Sequence, residues 1–266
     1  MLSEDPSTVK KVHDNDKIME IKVNSTTTSQ VLARVEKLIS DSMTSGNNKH
    51  KFYIVTPNPE LILMAQKNGN LKNALNAADF SIPDGVGLKI ANPKLKIIKG
   101  RELFLELIDL ANNNHWKVFL LGGLGEEAEL AASKLKNRKP NIEIDHHKGA
   151  RLDSNANPQT EADKELDEEA IDRINKFSPN MLFVAFGNPK QEIWIHKNLS
   201  RLNIGGAMAV GGTLRYVAGL SKLPPKWLPN SLEWLWRGFT EPKRIGRILN
   251  AVVVFPVRYL FYKLSH

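Results

Sequence analysis

No cysteine occurs among the 266 residues. That excludes a disulfide framework, a thiolate metal site and a cysteine nucleophile. Long apolar runs are missing too, and without about 18 consecutive apolar residues no membrane-spanning helix is expected. The opening segment, Met1-Leu-Ser-Glu-Asp-Pro6, is polar and acidic, so no signal peptide is expected. Gly-x-Ser-x-Gly, Walker and His-Glu-x-x-His patterns are all absent. What remains is an ordinary globular composition, 41% hydrophobic and 25% charged, which argues against a disordered or fibrous chain. The length suits one large α/β domain with an appendage and a sizeable core. A cytoplasmic location fits these absences.

The charge is unevenly placed. Lys and Arg total 37 against 29 Asp and Glu, a formal net charge of +8. From Lys222 onward, eight basic residues (222, 226, 237, 243, 244, 247, 258, 263) face only Glu233 and Glu241, a net +6. Trp227, Trp234, Trp236, Phe239, Phe255, Tyr259, Phe261 and Tyr262 share that tail. Basic residues interleaved with aromatics suit anionic lipid head groups better than nucleic acid. A helix pair packed on the domain with a solvated basic face is the plainer reading. Pro224-Pro225 marks the boundary, so the expected organisation is a disordered leader (1–17), an α/β catalytic domain (18–221) and a helical appendage (222–266) that associates with membrane.

Within 18–221 the apolar periodicity alternates between strand and helix. Strands are predicted over Met19–Val23, Lys51–Val55, Phe80–Ile82, Val118–Leu121, Ile142–Asp145, Met181–Phe186 and Ile204–Val210. Helices are predicted over Ser29–Met43, Pro59–Met64, Leu71–Ala78, Arg101–Asn114, Glu126–Lys136, up to Lys176, up to Leu199 and up to Ala218. The acidic stretch Asp153–Glu169 reads as a loop leading into a helix. The pattern predicts a Rossmann-like parallel sheet with flanking helices, with ligands beyond the carboxyl ends of the strands.

Four strand-end turns carry candidate chemistry. Gly122-Gly123-Leu124-Gly125 opens a helix and offers backbone amides to a diphosphate, although glycines at such turns also serve plain geometry. It lacks the Gly-x-Gly-x-x-Gly order, so no nicotinamide cofactor is expected. Gly187-Asn188-Pro189-Lys190-Gln191-Glu192 crowds more polar groups at a helix start than capping requires. There Lys190 suits a phosphate and Gln191 a base or sugar edge. Gly211-Gly212 fits either close helix packing or ligand approach. Asp84, between Pro83 and Gly85, is a candidate general base toward a sugar hydroxyl or else an Asx-turn residue. Thr56 and Asn58 either orient a hydroxyl or cap the next helix. Asp145-His146-His147 and Asp14-Asn15-Asp16 lack the context of a metal site, so none is expected.

In order, Thr56-Pro-Asn-Pro-Glu60, Ile82-Pro-Asp-Gly-Val-Gly87, Val118-Phe-Leu-Leu-Gly-Gly123, Phe183–Glu192, Val210-Gly-Gly212 and Glu233-Trp-Leu-Trp-Arg237 with Glu241-Pro-Lys-Arg244 resemble the WecG/TagA/CpsF glycosyltransferase family. The resemblance implies an inverting, metal-independent transferase. It would move N-acetylmannosamine, or its uronic acid, from a UDP-sugar to polyprenyl-diphosphate-linked N-acetylglucosamine at the cytoplasmic face of the membrane. By the same resemblance Asp84 is the catalytic base and Thr56 its active-site neighbour. Gln191 lies near the donor, and Arg237, Arg244 and Arg247 close over the diphosphate.

This chain departs from the family pattern at three places. Lys96-Ile-Ile-Lys99 and Gly100-Arg101 stand where an arginine segment is common, leaving Arg101 and its lysine neighbours as candidate cations. Arg215, in Thr213-Leu-Arg215-Tyr216, replaces part of a Phe-Asp pair and points to a different, acidic donor sugar. Ala150-Arg151 replaces an aromatic pair after Gly149. Transfer of another UDP-sugar in exopolysaccharide synthesis, and a non-catalytic membrane-binding module, are the other readings. Assembly into a homo-oligomer is left open.

Overall fold

The computed structural model describes residues 15–44, 51–221, 246 and 249–265. Residues 1–14, the tail tryptophans, and Arg237, Arg244 and Arg247 lie outside the described residues, as do the sequence expectations placed on them.

The chain opens with an antiparallel hairpin, β1 (Asn15–Ile18) and β2 (Ile21–Asn24). The single strand expected over Met19–Val23 is instead folded back at Met19 and Glu20, whose φ angles are 48° and 64°. Both central residues are left-handed, as a tight two-residue hairpin requires. Met-Glu lacks the Asn-Gly signature of such turns, so the alternation of Met19, Ile21 and Val23 read as one extended run. The leader boundary expected at residue 17 moves accordingly, because Asn15, Asp16 and Lys17 are strand residues.

Then follow α1 (Thr28–Thr44), β3 (Phe52–Val55), α2 (Pro59–Ala65), α3 (Gly69–Ala77), β4 (Phe80–Ser81) and α4 (Gly100–Asn113). Next come β5 (Lys117–Gly122), α5 (Glu127–Arg138), β6 (Glu143–His147), α6 (Glu161–Phe177), β7 (Met181–Ala185), α7 (Lys190–Asn198), β8 (Gly206–Ala209) and α8 (Thr213–Val217). The predicted elements all appear, with ends shifted by a few residues. Local chemistry sets several starts. The Asn58 carboxamide accepts the Leu61 N–H at 2.9 Å and Pro59 occupies the first turn of α2. Thr160 caps α6 in the same way through the Asp163 N–H. A short 3-10 helix at Val86–Ile90 had no periodic signal in the sequence.

Strands β3 to β8 form one parallel sheet in the order β4-β3-β8-β7-β5-β6, the Rossmann-like arrangement expected. Period-two alternation divides the core between its faces. Tyr53, Val55, Phe119, Leu121, Leu182 and Val184 pack toward α2, α3, α6 and α7. Phe52, Ile54, Val118, Leu120, Met181 and Phe183 pack toward α1, α4, α5 and α8. The hairpin covers the β4 edge: the Ser81 N–H donates to Asn24 Oδ1 at 2.6 Å and the Ser81 hydroxyl to the Lys22 carbonyl at 2.5 Å.

A π-type turn at Asn250–Val254 leads into the last helix, α9 (Phe255–Ser265). Phe255 is fully buried in the core on the α2 side of the sheet. Tyr259 stacks on it and donates its hydroxyl hydrogen to the Ala91 carbonyl at 3.1 Å. Val253, Val257, Leu260, Phe261 and Leu264 face outward and exposed. Among the described residues 249–265, Phe255, Tyr259 and Tyr262 pack against that core while the outward apolar face stays open. Among the described residues no helix is long and apolar enough to cross a membrane. Truncating Phe255 to Ala is expected to lower unfolding free energy by about 3 kcal/mol, read by urea denaturation, because a buried ring leaves a cavity.

Candidate active site

The strand order determines which loops meet. β3, β8 and β7 are neighbours with β4 beyond β3, so the turns leaving their carboxyl ends converge. They wall a cavity of about 380 Å³. Thr56 and Asn58 come from the β3 turn, Asp84 from β4, Asn188 and Gln191 from β7, and Gly211 and Gly212 from β8. Arg101 enters from the first turn of α4.

The β4 turn continues the parallel ladder past the strand end. Ile82 N–H donates to the Val55 carbonyl at 2.9 Å, Asp84 N–H to Pro57 at 2.9 Å, and Ile98 N–H to Pro83 at 3.0 Å. Three backbone bonds on both sides of Pro83 hold the Asp84 backbone in place. The start of α4 abuts its side chain. A methyl group added at Gly100 would stand 3.1 Å from Thr56 Oγ1 and 3.4 Å from Asp84 Oδ2. The hydroxyl and the carboxylate therefore share the space in front of a helix N-terminus, where the macrodipole presents positive potential.

Gln191 joins the turns that leave the adjacent strands β7 and β8. Its Oε1 accepts from Gly187 N–H at 3.2 Å and Gly211 N–H at 2.9 Å, while its Nε2 donates to Asn188 Oδ1 at 3.0 Å and Glu192 Oε1 at 2.8 Å. Near it, Arg101 lies over the Tyr216 ring, 5.3 Å from its centroid, close enough for a cation–π contact.

A parallel-sheet enzyme with a carboxylate and hydroxyl at converging strand ends describes many folds' sites, so similarity to known proteins adds the decisive observation. The family model described as the Glycosyl transferase WecG/TagA/CpsF family matches residues 17–266. This chain belongs to that family. It is a glycosyltransferase. Proteins of Staphylococcus aureus strains NCTC 8325 / PS 47 and COL, each named N-acetylglucosaminyldiphosphoundecaprenol N-acetyl-beta-D-mannosaminyltransferase, are 34% identical to it over 244 residues. The match covers 90% of this chain and 89% of each relative.

Of the residues singled out from sequence, the glycosyltransferase fold brings Thr56, Asn58, Asp84, Arg101, Asn188, Gln191, Gly211 and Gly212 to the one cavity. Gly122, Gly123 and Lys190 are not among its lining residues. β5 is separated from β3 by both β8 and β7, and three strand spacings amount to about 14 Å. Local geometry shapes the Gly122-Gly123 turn. Both glycines have φ of 93°, and a methyl at Gly123 would meet Glu127 Cβ at 2.9 Å. The Glu127 carboxylate also accepts the Leu124 N–H at 3.0 Å, so one amide of the turn already faces an internal anion.

Arg215 is directed at the same carboxylate, 3.3 Å from Glu127 Oε1, and does not line the cavity. The cation on which the acidic-donor expectation was placed answers an internal charge in this structure. Lys99, one of the candidate cations, lines the cavity, as do Tyr216, not singled out as a binding residue from sequence, and Ala251 and Val252 from the tail. Lys99 stands just before α4, within 3.7 Å of Glu102 Oε1. Its signal was the basic segment around Gly100; among Lys96, Lys99 and Arg101, the structure places the last two at the cavity.

Among the described residues no group of three or more His, Asp or Glu is arranged to hold a metal ion. Asp145 instead takes both guanidinium contacts of Arg173, at 2.9 and 2.6 Å, and Asp16 accepts from Asn92 at 2.7 Å.

Glu192 is 1% exposed, and burial pushes its carboxyl up to about 7 against the opposing hydrogen bond from Gln191. A carboxyl raised in the folded state contributes stability that is present below the unfolded value and lost as pH rises through about 7. Glu192→Gln, which does not titrate, should therefore gain about 3 kcal/mol on the wild type between pH 4.5 and pH 8, measured by urea unfolding.

Gly100→Ala separates site geometry from stability. Alanine is the better helix former by up to about 1 kcal/mol, and the tight approach to Thr56 offsets that gain, so the melting temperature should stay near the wild-type value. Displacement of Thr56 and Asp84 by the new methyl should lower turnover about tenfold in a steady-state transfer assay.

Proposed function

We propose that this glycosyltransferase moves N-acetylmannosamine from a UDP-sugar to polyprenyl-diphosphate-linked N-acetylglucosamine. The transfer inverts the anomeric carbon and needs no metal ion. It works peripherally on the cytoplasmic face of the cell membrane, in synthesis of a cell-wall or surface polysaccharide. The observation that carries this reading is that Asp84 and Thr56 both approach Gly100 at the N-terminus of α4, inside a cavity also lined by Lys99 and Arg101. The sugar and the acceptor come from the printed name of the Staphylococcus aureus relatives. A neutral N-acetylmannosamine is favoured over its uronic acid because Arg215 is engaged with Glu127.

The chemistry is a single displacement. The acceptor hydroxyl gives its proton to the Asp84 carboxylate as its oxygen bonds to the anomeric carbon. The bond from that carbon to the departing diphosphate breaks on the opposite face, and its electron pair leaves with the UDP oxygen. Thr56 orients the reacting hydroxyl. Lys99 and Arg101 meet charge developing on the diphosphate, with Arg237, Arg244 and Arg247 of the tail completing the set. Asn58, Asn188 and the backbone of Gly211 and Gly212 contact the donor. Lys190 stays a candidate for a distal phosphate of the lipid acceptor.

The apolar residues exposed on α9 support membrane contact, and Ala251 and Val252, just before that helix, line the cavity. Such a position delivers a lipid-linked acceptor without extracting it from the bilayer.

The test uses full-length protein with a short-chain polyprenyl-diphosphate-GlcNAc acceptor and a panel of UDP-sugars, product being identified by mass spectrometry. UDP-N-acetylmannosamine is expected to be the donor consumed, with turnover unchanged by EDTA. Asp84→Asn should lower turnover by about 1,000-fold while UDP affinity by calorimetry stays within about threefold. Turnover of that variant at the wild-type rate would remove Asp84 from its role.

A further inference from the structure

The Gln191 carboxamide has no capacity left over. Its carbonyl takes the two backbone N–H groups of Gly187 and Gly211, and this fixes which end is oxygen and which is nitrogen. Its two amide hydrogens then point at Asn188 and Glu192. With the side chain 2% exposed, Gln191 is saturated inside the protein. It works as a bracket across the ends of β7 and β8 rather than as a free reader of a base edge.

Glu192 stands behind the bracket. Adjacent side chains on a helix diverge by about 100°, so a contact between residues i and i+1 is no default of helical geometry. Here the Glu192 side chain turns back to accept from Gln191 at 2.8 Å and is buried in doing so. Its other oxygen, Oε2, has no hydrogen-bond partner among the described residues. A buried polar atom left unpaired costs stability, and an apolar side chain of similar size at this site would avoid that cost. Packing therefore does not account for a carboxyl here, whereas the need for an acceptor does.

We infer that Glu192 is a positioning residue for glycosyl transfer: its buried carboxyl orients the Gln191 amide, which holds the Gly187 and Gly211 turns at the spacing the donor pocket needs. The inference rests on the reading of this cavity as the transfer site. Glu192 touches neither substrate; it acts through Gln191 alone. Its loss therefore loosens the donor site while leaving Asp84 and Thr56, across the cavity, in place.

Steady-state kinetics of the full-length enzyme test this with the donor as the varied substrate. Glu192→Leu should raise the donor KM about tenfold, the equivalent of one lost buried hydrogen bond, with kcat within about threefold of wild type. Glu192→Gln, which returns a carbonyl acceptor to the same place, should recover most of that loss. Gln191→Met should show the same KM-weighted defect, and combining it with Glu192→Leu should add nothing further. Hydrogen exchange should show faster exchange at the Gly187 and Gly211 amides in Glu192→Leu, with the β5 and β6 region unchanged.

Wild-type donor KM in Glu192→Leu, no rescue by Glu192→Gln, or additive losses in the double variant would each overturn the inference. Should Glu192→Leu not fold, Gln191→Met decides: a wild-type KM there overturns it equally. Failure of the underlying reading looks different, since the wild type itself would then transfer no sugar from any donor.

Discussion

The site exists because β8, the last strand of the sheet in sequence, is inserted between β3 and β7. In sequence the turn after β3 and the turn after β7 are more than a hundred residues apart, and only this insertion makes them the walls of one cavity. The ladder also dictates packing. Gly206 pairs with Phe52 across the β3–β8 register, and a methyl at that glycine would lie 2.3 Å from the Phe52 ring. The missing side chain is what lets an aromatic lie over the central strand. Everything at the strand ends inherits its position from that register.

Two kinds of rigidity then shape the cavity. Backbone bonds that prolong the ladder hold the Asp84 side, and a saturated side-chain amide holds the Gln191 side. Rigid carboxylate placement suits a group that must meet one proton at one atom. The opposite wall is held by a network, and a network can be tuned through its outermost member. Charge is partitioned in the same spirit. Arg215 and Glu127 neutralise each other beneath the β5 turn, while Lys99 and Arg101 face the cavity. Among the described residues after 248, the Phe255 ring is buried in the body while an apolar face of α9 stays exposed.

Much of this was legible in the residues. Hydrophobic periodicity located each strand and helix of the sheet because burial on two faces imposes period two on strands and 3.6 on helices. The Thr56, Asp84 and Gln191 turns stood out because polar groups crowded where capping needs one. What escaped has a common cause. The Met19-Glu20 turn carries no turn-type residues, and the hairpin is held by packing of Ile18, Ile21 and Val23 against the distant core. At Gly122-Gly123 the sequence does not say that Glu127 folds back beside the turn. The Arg215 ion pair was invisible in the sequence because its partner lies 88 positions away.

By itself, then, the sequence determined the element order, the class of sheet, the family and the identity of the chemically able groups. These follow from local periodicity, turn composition and ordered motifs, all of which are written over short spans. Only the tertiary structure decided which groups share a cavity and which are spent on internal partners. That is a matter of strand order and side-chain direction, and the cost of burying an unpaired charge or donor is settled between residues far apart in the chain. The same rule that sends Arg215 to Glu127 leaves Lys99 and Arg101 at the cavity with Asp84.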